Sequence, residues 1–427
     1  MTEEILNIRD RIFYLNRSEI EERLEPKFYT KRYTDNEKKI HNSKFPVYHL
    51  SDVTTLISDG THFTPEYVEQ GVKFISVKDV RKSKISLDSV KYITETEATL
   101  LDKRCRPQYN DVLLTKIGTF GYAALIETEE RFQIFVSLAL LRPNNKISPK
   151  FLEVFLNTDL AYIQYERVIK GAGVPDLHLE DIRKVKIPLP DFVTQKKIAS
   201  HFEKAYSKKE QKEKQATELL SSINTYILSE LGISLPENET GLSSRIFTTD
   251  FSEVMGVRFD PLYFKNKGTI ESHIYVNNPL KKIAIINKGQ SITKEKIIEG
   301  NYPVIAGGQT SPYSHNVFNF EGNVITVSAS GAYSGFVWYH DYPIFASDCI
   351  VLQSKNENEI STHFIYHVMK ALQQEIYKLQ QGAGQPHVYA RDLEKVNIPT
   401  PSLSKQVEMI NYINNINNQI KKLQNEA

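Results

Sequence analysis

Residues 171–199 read GAGVPDLHLEDIRKVKIPLPDFVTQKKIA, and residues 382–410 read GAGQPHVYARDLEKVNIPTPSLSKQVEMI. Aligned without a gap at an offset of 211, eleven of these 29 positions are identical. Gly171, Ala172, Gly173 and Pro175 pair with Gly382, Ala383, Gly384 and Pro386, and Asp181, Lys184 and Val185 with Asp392, Lys395 and Val396. Ile187, Pro188, Pro190 and Gln195 match Ile398, Pro399, Pro401 and Gln406. Agreement so far above chance reads as an internal duplication, and a duplication sets the architecture before any local signal does.

Fainter echoes extend the repeat outward. The run Arg23-Leu-Glu-Pro26-Lys-Phe28-Tyr29 resembles Arg258-Phe-Asp-Pro261-Leu-Tyr263-Phe264 at an offset of 235, and Ile134-Phe135-Val-Ser137 resembles Ile344-Phe345-Ala-Ser347. The offset shrinks by 24 along the unit, so the second copy has lost loops. Each copy has one internal order. Short β-like runs such as Val112-Leu113-Leu114 or Val324-Ile325-Thr326-Val327 come first, between turn residues. A helical stretch follows (149–170; 361–381), then the Gly-Ala-Gly-x-Pro turn and a short strand stopped by Ile-Pro-x-Pro. A long polar helix ends the unit.

That last helix carries an apolar seam. Steps of 4 and 3 from Ile198 reach Phe202, Ala205, Lys209, Lys212, Ala216, Leu219, Ile223 and Tyr226; from Met409 they reach Ile413, Ile416, Ile420 and Leu423. Apolar residues every 3.5 positions, flanked by charges and amides, are the pattern of a coiled coil. Lys209 and Lys212 interrupt the first seam, so its middle is either solvated or set against polar Asn residues of the partner helix. The competing reading packs each helix on its own domain. A third seam, Ile5-Ile8-Ile12-Leu15, opens the chain, and Ser18-x-x-Glu21 reads as a capping box. At 1.5 Å per residue, residues 194–231 would reach ~57 Å and residues 403–424 ~33 Å. Paired antiparallel, they would act as a ruler between two inverted domains, on the ~34 Å scale of a DNA turn.

The expected fold class is therefore α+β: two tandem mixed α/β domains, related by pseudo-twofold duplication and joined by long antiparallel coiled-coil helices. The expected segments are an N-terminal helical arm (1–46), a first domain (47–190) and a central spacer helix (191–235). A linker with the start of the second repeat (236–277), a second domain (278–401) and a C-terminal spacer helix (402–427) follow. The spacer contacts are assigned to Ile198, Phe202, Leu219, Ile223, Met409, Ile413, Ile416, Ile420 and Leu423.

Composition bounds the function. The 427 residues carry 53 basic and 52 acidic side chains, so no global charge marks a nucleic-acid binder. Two cysteines exclude a disulfide framework and any Cys-based zinc site, and point to a reducing compartment. The longest apolar stretch, Ile134 to Leu141, is too short to span a bilayer, and Met1-Thr2-Glu3-Glu4 lacks a secretory n-region. The expectation is a cytoplasmic protein without membrane contact. The 23 Tyr and 21 Phe suit β-rich domains and surfaces that touch bases or proteins.

Catalytic signatures do not emerge. There is no phosphate-binding Gly-x-x-x-x-Gly-Lys motif, and the Gly-Ala-Gly turns lead into Pro and a strand rather than a helix. No Asn-Pro-Pro-aromatic or Asp-Pro-Pro-Tyr tetrapeptide of amino-methyltransferases occurs. Glu210-Gln-Lys212 matches a nuclease Glu-x-Lys but lies on a charged helix face, and the eleven His show no metal spacing. No catalytic or metal-ligating residue is assigned.

In ordered duplicate, the pattern Gly-Ala-Gly-x-Pro, Asp-(Ile/Leu)-x-Lys-Val-x-Ile-Pro-x-Pro, Gln and helix resembles the specificity subunit of type I restriction–modification enzymes across nearly the whole chain. Ile57-Ser-Asp-Gly60-Thr61-His62-Phe-Thr64-Pro65 and Val327-Ser-Ala-Ser330-Gly331-Ala-Tyr333-Ser-Gly335-Phe336-Val337 look like its target-recognition sequence. The resemblance implies two target-recognition domains, each reading one half of a split double-stranded DNA target. It further implies two modification (methyltransferase) subunits on the helices, which carry S-adenosylmethionine, and restriction (motor-nuclease) subunits that use ATP and Mg. This chain itself would bind no cofactor. The weak charge of the two domains departs from expectation: residues 47–150 carry 14 basic and 13 acidic groups, residues 278–361 six and seven.

Candidate DNA contacts in the first domain are Lys73, Lys78, Arg81, Lys82 and Lys84, then Arg104 and Arg106. Arg and Lys suit guanine edges or phosphates, and only base edges carry sequence. Thr61 and His62 sit in a turn, while Lys116, Thr119 and Tyr122 flank a glycine-rich one (Gly118, Gly121) where backbone approaches a ligand closely. In the second domain amides and hydroxyls must do more, and Gln309, Ser330, Tyr333 and Gln385 are the candidates. For each of these a solvated surface or plain structural turn is the competing reading. Two other functions compete: a duplicated coiled-coil scaffold for proteins without DNA specificity, and the specificity chain of a type II-like methyltransferase or nuclease.

Overall fold

A computed structural model describes residues 24–171, 173–235, 270–382 and 384–426, with isolated residues 17, 20, 246, 248, 250 and 251. The seam Ile5–Leu15, the Ser18–Glu21 box and the Arg258–Phe264 echo lie outside the described residues. The chain divides into two compact units, Met1–Ser207 and Lys208–Ala427.

In the first unit the end of the apolar run, from Leu138, enters the middle of an antiparallel sheet ordered Thr54–Asp59, Leu138–Pro143, Val112–Thr115, Ala123–Leu125. Its central strands are buried on both faces, which is why they read as unbroken apolar runs rather than alternating ones. One face packs with Leu152, Phe155 and Tyr165 from the helices Pro149–Leu156 and Asp159–Val168. The other meets Ile75, Phe132 and Ile134. These belong to a second sheet in which Val72–Ile75 runs parallel to Phe132–Ile134. The strand before Ile-Pro-x-Pro, Lys186–Pro188, pairs with Val47–His49 and closes the domain.

The second unit repeats this strand for strand. Its sheet runs Ala284–Lys288, Cys349–Ser354, Val324–Ser328, Val337–His340. Tyr302–Ile305 runs parallel to Phe345–Ala346, and Asn277–Pro279 pairs with Asn397–Pro399. The shrinking offset has a physical site. From Ile75 to Val112 is 37 positions and from Ile305 to Val324 only 19. The longer stretch holds the hairpin Val80–Arg81/Lys84–Ile85 and the helix Glu95–Asp102.

Two sequence expectations need correction. Each helical stretch of the repeat is broken: Thr158 caps a second helix after Leu156, and Ala371 gives way to a short helix at Gln373–Tyr377. The Ile134/Ile344 echo is also two residues out of register, because Ile134 pairs with Ile75 as Ala346, not Ile344, pairs with Ile305. Ladder geometry overrides the chance likeness of Ile-Phe.

The polar helix after the first repeat spans Phe192–Glu230, and that after the second spans Leu403–Glu426. Within the second unit the two run antiparallel. Lys405 Nζ lies 2.7 Å from Glu230 Oε2, Lys212 Nζ lies 2.6 Å from Glu426 Oε2, and the rings of Tyr226 and Tyr412 are 4.1 Å apart. Ala216 and Ile223 are buried with Met409, Ile413, Ile416 and Ile420, and Leu219 and Leu423 are half-buried against them. The same core contains Ile325, Phe364 and Leu393 of the domain, so the C-terminal helix packs on the central helix and on its own domain together. The Lys212 interruption is answered by a carboxylate, not by amides. In the first unit Ile198 is exposed, and Phe202 stacks on Tyr206 at 6.0 Å.

The shared glutamine explains why it recurs. Gln195 Oε1 accepts from Ser148 N–H (2.7 Å), and its Nε2 donates to Lys146 O (3.2 Å) and Pro190 O (2.9 Å). Gln406 makes the same set with Ser361 N–H (3.0 Å), Glu359 O (2.9 Å) and Pro401 O (3.0 Å). Each side chain pins a helix start, a preceding loop and the Pro-x-Pro corner, whose buried backbone groups otherwise go unpaired.

Candidate nucleic-acid interface

At the end of the strand Thr54–Asp59 the chain turns against the neighbouring sheet. A Cβ on Gly60 would stand 1.9 Å from Ile134 O, so only glycine fits. Thr61, buried, donates its N–H to Ile134 O, and its Oγ1 accepts from Phe63 N–H and donates to Phe63 O (both 3.1 Å). The turn is thereby fixed, with His62 and Phe63 facing outward.

Beneath it lies Asp59, whose side chain is 4% exposed. Arg104 binds it twice, Nη2 donating to Oδ1 and Nε to the backbone O. Arg104 Nη2 also donates to His62 Nε2 at 3.0 Å. Buried Lys116 reaches Asp59 Oδ2 at 3.7 Å and Asp176 Oδ1 at 3.4 Å. Thr61, His62, Arg104 and Lys116 are thus brought together around two carboxylates, Asp59 and Asp176, that sequence reasoning missed. Acidic residues attract no notice in a search for DNA contacts. Lys116 is corrected from surface contact to buried ion-pair member.

The glycine-rich turn and the repeat motif form one joint. Gly118 and Gly121 have φ of 77° and 82°. Gly118 N–H donates to Pro175 O (2.9 Å) and Leu177 N–H to Lys116 O (2.8 Å), docking Gly-Ala-Gly-x-Pro on the hairpin and leaving Thr119 exposed at its tip.

The other basic candidates lie on separate features. Lys78, Arg81, Lys82 and Lys84 gather about the hairpin Val80–Ile85, where Arg81 Nη1 caps Lys78 O and Val80 O (2.9 Å each). Lys82 Nζ stands 5.8 Å from the Tyr122 ring, and Lys82 O accepts from Tyr206 Oη at 3.0 Å. Among the described residues no carboxylate stands within 4 Å of these four cations. Lys73 pairs with Glu130 at 2.9 Å, which holds its ammonium above the ordinary value, and Arg106 lies 3.9 Å from Asp102.

In the second domain the joint recurs. Gly331 N–H donates to Pro386 O and Val388 N–H to Ala329 O (both 3.0 Å). Gly331 and Gly335 have φ of 87° and 92°. Ser330 Oγ donates to Asp348, and Ser328 Oγ donates to Gly308 O at 3.3 Å. Three loops are tied together, and they carry the four candidates: Gln309 after Gly308, Ser330 and Tyr333 in the hairpin, and Gln385 in the repeat turn. Gln309, Tyr333 and Gln385 are exposed, whereas Ser330 is half-buried. The Gly60 turn has its counterpart too. A Cβ on Gly289 would lie 2.1 Å from Ser347 O, and exposed Gln290 donates its N–H to Ala346 O as Thr61 does to Ile134 O. The sequence around Gln290 shares too little with the Thr61 turn beyond the preceding glycine to align the two, so only ladder pairing identifies it.

Other chemistry is quiet. Burial pushes the thiols of Cys105 and Cys349 up to about 12, far from a nucleophile's range. A cavity of about 480 Å³, walled by Glu37, His49, Arg167 and Lys186 among others, shares no residue with the turns. Among the described residues no three metal-ligating side chains cluster, and no helix is long and apolar enough to cross a membrane.

Two copies of one α+β module, each fixing a pair of glycine-locked turns and followed by a long helix, define a duplicated recognition protein. The chain belongs to the family of the type I restriction modification DNA specificity domain, whose model matches residues 42–221 and 275–427. It is 26% identical over 158 residues to the type I restriction enzyme EcoBI specificity subunit of Escherichia coli, covering 37% of this chain and a third (33%) of that one. It is 22% identical over 416 residues to the putative type I restriction enzyme MjaX specificity subunit of Methanocaldococcus jannaschii, covering 87% of each. Its fold is similar to a solved chain described under complex assembly and conformational transition of the type I R-M system (TM-score 0.53, 17% identity, 90% and 93% of the two chains).

Proposed function

We propose that this chain is the DNA sequence-specificity subunit of a type I restriction–modification complex. Each domain reads one half of a bipartite duplex target, and the helices present the pair to two modification subunits and to restriction subunits. Adenine methylation with S-adenosylmethionine, and ATP- and Mg-dependent translocation and cleavage, are the work of those partners. One observation carries the reading. The same turn scaffold occurs twice with its backbone preserved, Gly60 as Gly289 and Gly118 as Gly331, while the presented side chains differ. A fixed frame with exchangeable tips is what reading two unlike half-sites requires.

The test is the methylome of cells carrying the chain with its modification partner. The reading expects one split motif with a fixed gap. Exchanging residues 47–190 for another such domain should change one half-site only. Modification without regard to sequence, or equal binding of random duplexes with and without the partner, overturns it in favour of a protein scaffold.

A further inference from the structure

We infer that the turn Asp59–Phe63, together with Arg104, is a base-reading element of the first domain, in which Asp59 is a positioning residue and Arg104 and Phe63 meet the DNA. The inference rests on the proposed function and deepens it.

The argument begins with what each group has left to offer. Arg104 spends Nε on Asp59 O and Nη2 on Asp59 Oδ1 and His62 Nε2. Among the described residues Nη1 has no partner, and half of the side chain (51%) is exposed. The guanidinium is planar, so fixing two nitrogens aims the two N–H groups of the third. A guanine edge offers two neutral acceptors, O6 and N7, and accepts such donors without Arg104 leaving its carboxylate. A phosphate competes with Asp59 for the same charge, which makes the arrangement better suited to a base than to backbone.

Phe63 is the second half of the reader. The residue is 83% exposed, a high value for an aromatic residue, although Thr61 pins the turn that carries it. An exposed ring carried on a pinned backbone has no packing role to explain it. Apolar contact with a thymine methyl, or wedging at a base step, is the use such a ring has at a duplex. Gly60 fixes the height of the turn against Ile134. The second domain builds the same turn at Gly289 with Gln290 in place of Thr61, so the position varies in chemistry on a constant frame.

The experiment uses the full chain co-expressed with its modification partner, and reads methylation motif and binding to a library of half-site variants. Arg104→Ala and Asp59→Asn should both relax preference at the same base pair of one half-site, by roughly tenfold or more. Phe63→Ala should relax a neighbouring base pair, leaving the other half-site as in wild type. Because Phe63 is exposed, that variant folds, and it keeps the test decisive if Asp59→Asn does not. A purely structural Asp59 would lower binding to all sequences equally and leave the motif intact. If wild type is sequence-specific and both Arg104→Ala and Phe63→Ala keep its motif, the inference is overturned while the proposed function stands. If wild type itself shows no sequence preference, both fall.

Discussion

Replacing Gln406 with alanine tests the joint on which the repeat is built. The side chain is fully buried and satisfies Ser361 N–H, Glu359 O and Pro401 O. Alanine leaves three backbone groups, one buried and two partly buried, without this partner, each costing up to about 1–3 kcal/mol, so a loss of about 3–5 kcal/mol is expected once some water enters. At about 2–4 °C per kcal/mol for a unit near 200 residues, the unfolding midpoint of the second unit should fall by about 10 °C. Calorimetry of the full chain would resolve this, and hydrogen exchange would place the loss at residues 359–365 and at the start of the C-terminal helix. Gln195→Ala should do the same to the first unit, and the double variant should be additive, since the two sites share no partner. A shift below 2 °C for both variants would refute the claim that this glutamine holds helix, loop and corner together. Gln406→Glu sharpens the test. It keeps the acceptor but sets a carboxylate against two carbonyls, and should be worse than alanine.

Acid should weaken the second unit first. Burial drops His340 to about 4 and His367 to about 3, and the unfolded chain, with His near 6.5, binds more protons below that pH. Stability is therefore intact above ~6.5 and falls as pH drops toward 4, by up to about 1.4 kcal/mol per pH unit per histidine; urea melts at pH 5 and 7 of wild type and His367→Phe, which should flatten the slope, check this. Gly289→Ala forces a Cβ into Ser347 O and should cost about 1–3 kcal/mol while blurring one half-site, read by methylome and thermal melt. Gln290→Ala should leave stability unchanged and relax only the half-site read by the second domain. Inserting four residues beside Ala216 adds ~6 Å to the central helix but breaks the Lys212–Glu426 register; a matched insertion in both helices should widen the half-site gap by about two base pairs, and an unchanged gap would count against the ruler.

The duplication made most of the fold legible. Once Gly-Ala-Gly-x-Pro, Ile-Pro-x-Pro and Gln recurred in order, the two repeats, the helix after each and the seam of Met409, Ile413, Ile416 and Ile420 followed from periodicity, while the antiparallel sense of the helices came only with the family resemblance. The break after Leu156 was not legible, because Thr158 restarts a helix within two residues and leaves the apolar pattern intact. The two-residue slip at Ile134 escaped for a different reason, since strand register is set by ladder partners far away in the chain. For the candidate site, residue type pointed to Thr61, His62, Arg104 and Lys116. It gave no sign that they meet around Asp59 and Asp176, nor that Phe63 is held clear of the fold.

That hidden pairing changes what the near-neutral charge of the first domain means. Lys73, Arg104, Lys116, Arg131 and Arg142 each face a carboxylate, so much of the basic charge is already answered inside the domain. Burial of Lys116 and Asp59 makes that pairing hard to exchange, because separating them leaves a charge uncompensated in a low-dielectric place. On the proposed function, attraction to arbitrary duplex would rest on cations without a carboxylate partner, the hairpin's Lys78, Arg81, Lys82 and Lys84 among them, and would be weak and salt-sensitive. If the inference above holds, a domain built this way would gain little from phosphate alone and would discriminate through the few donors it leaves uncommitted, its selectivity coming from paired charge rather than from abundance of charge.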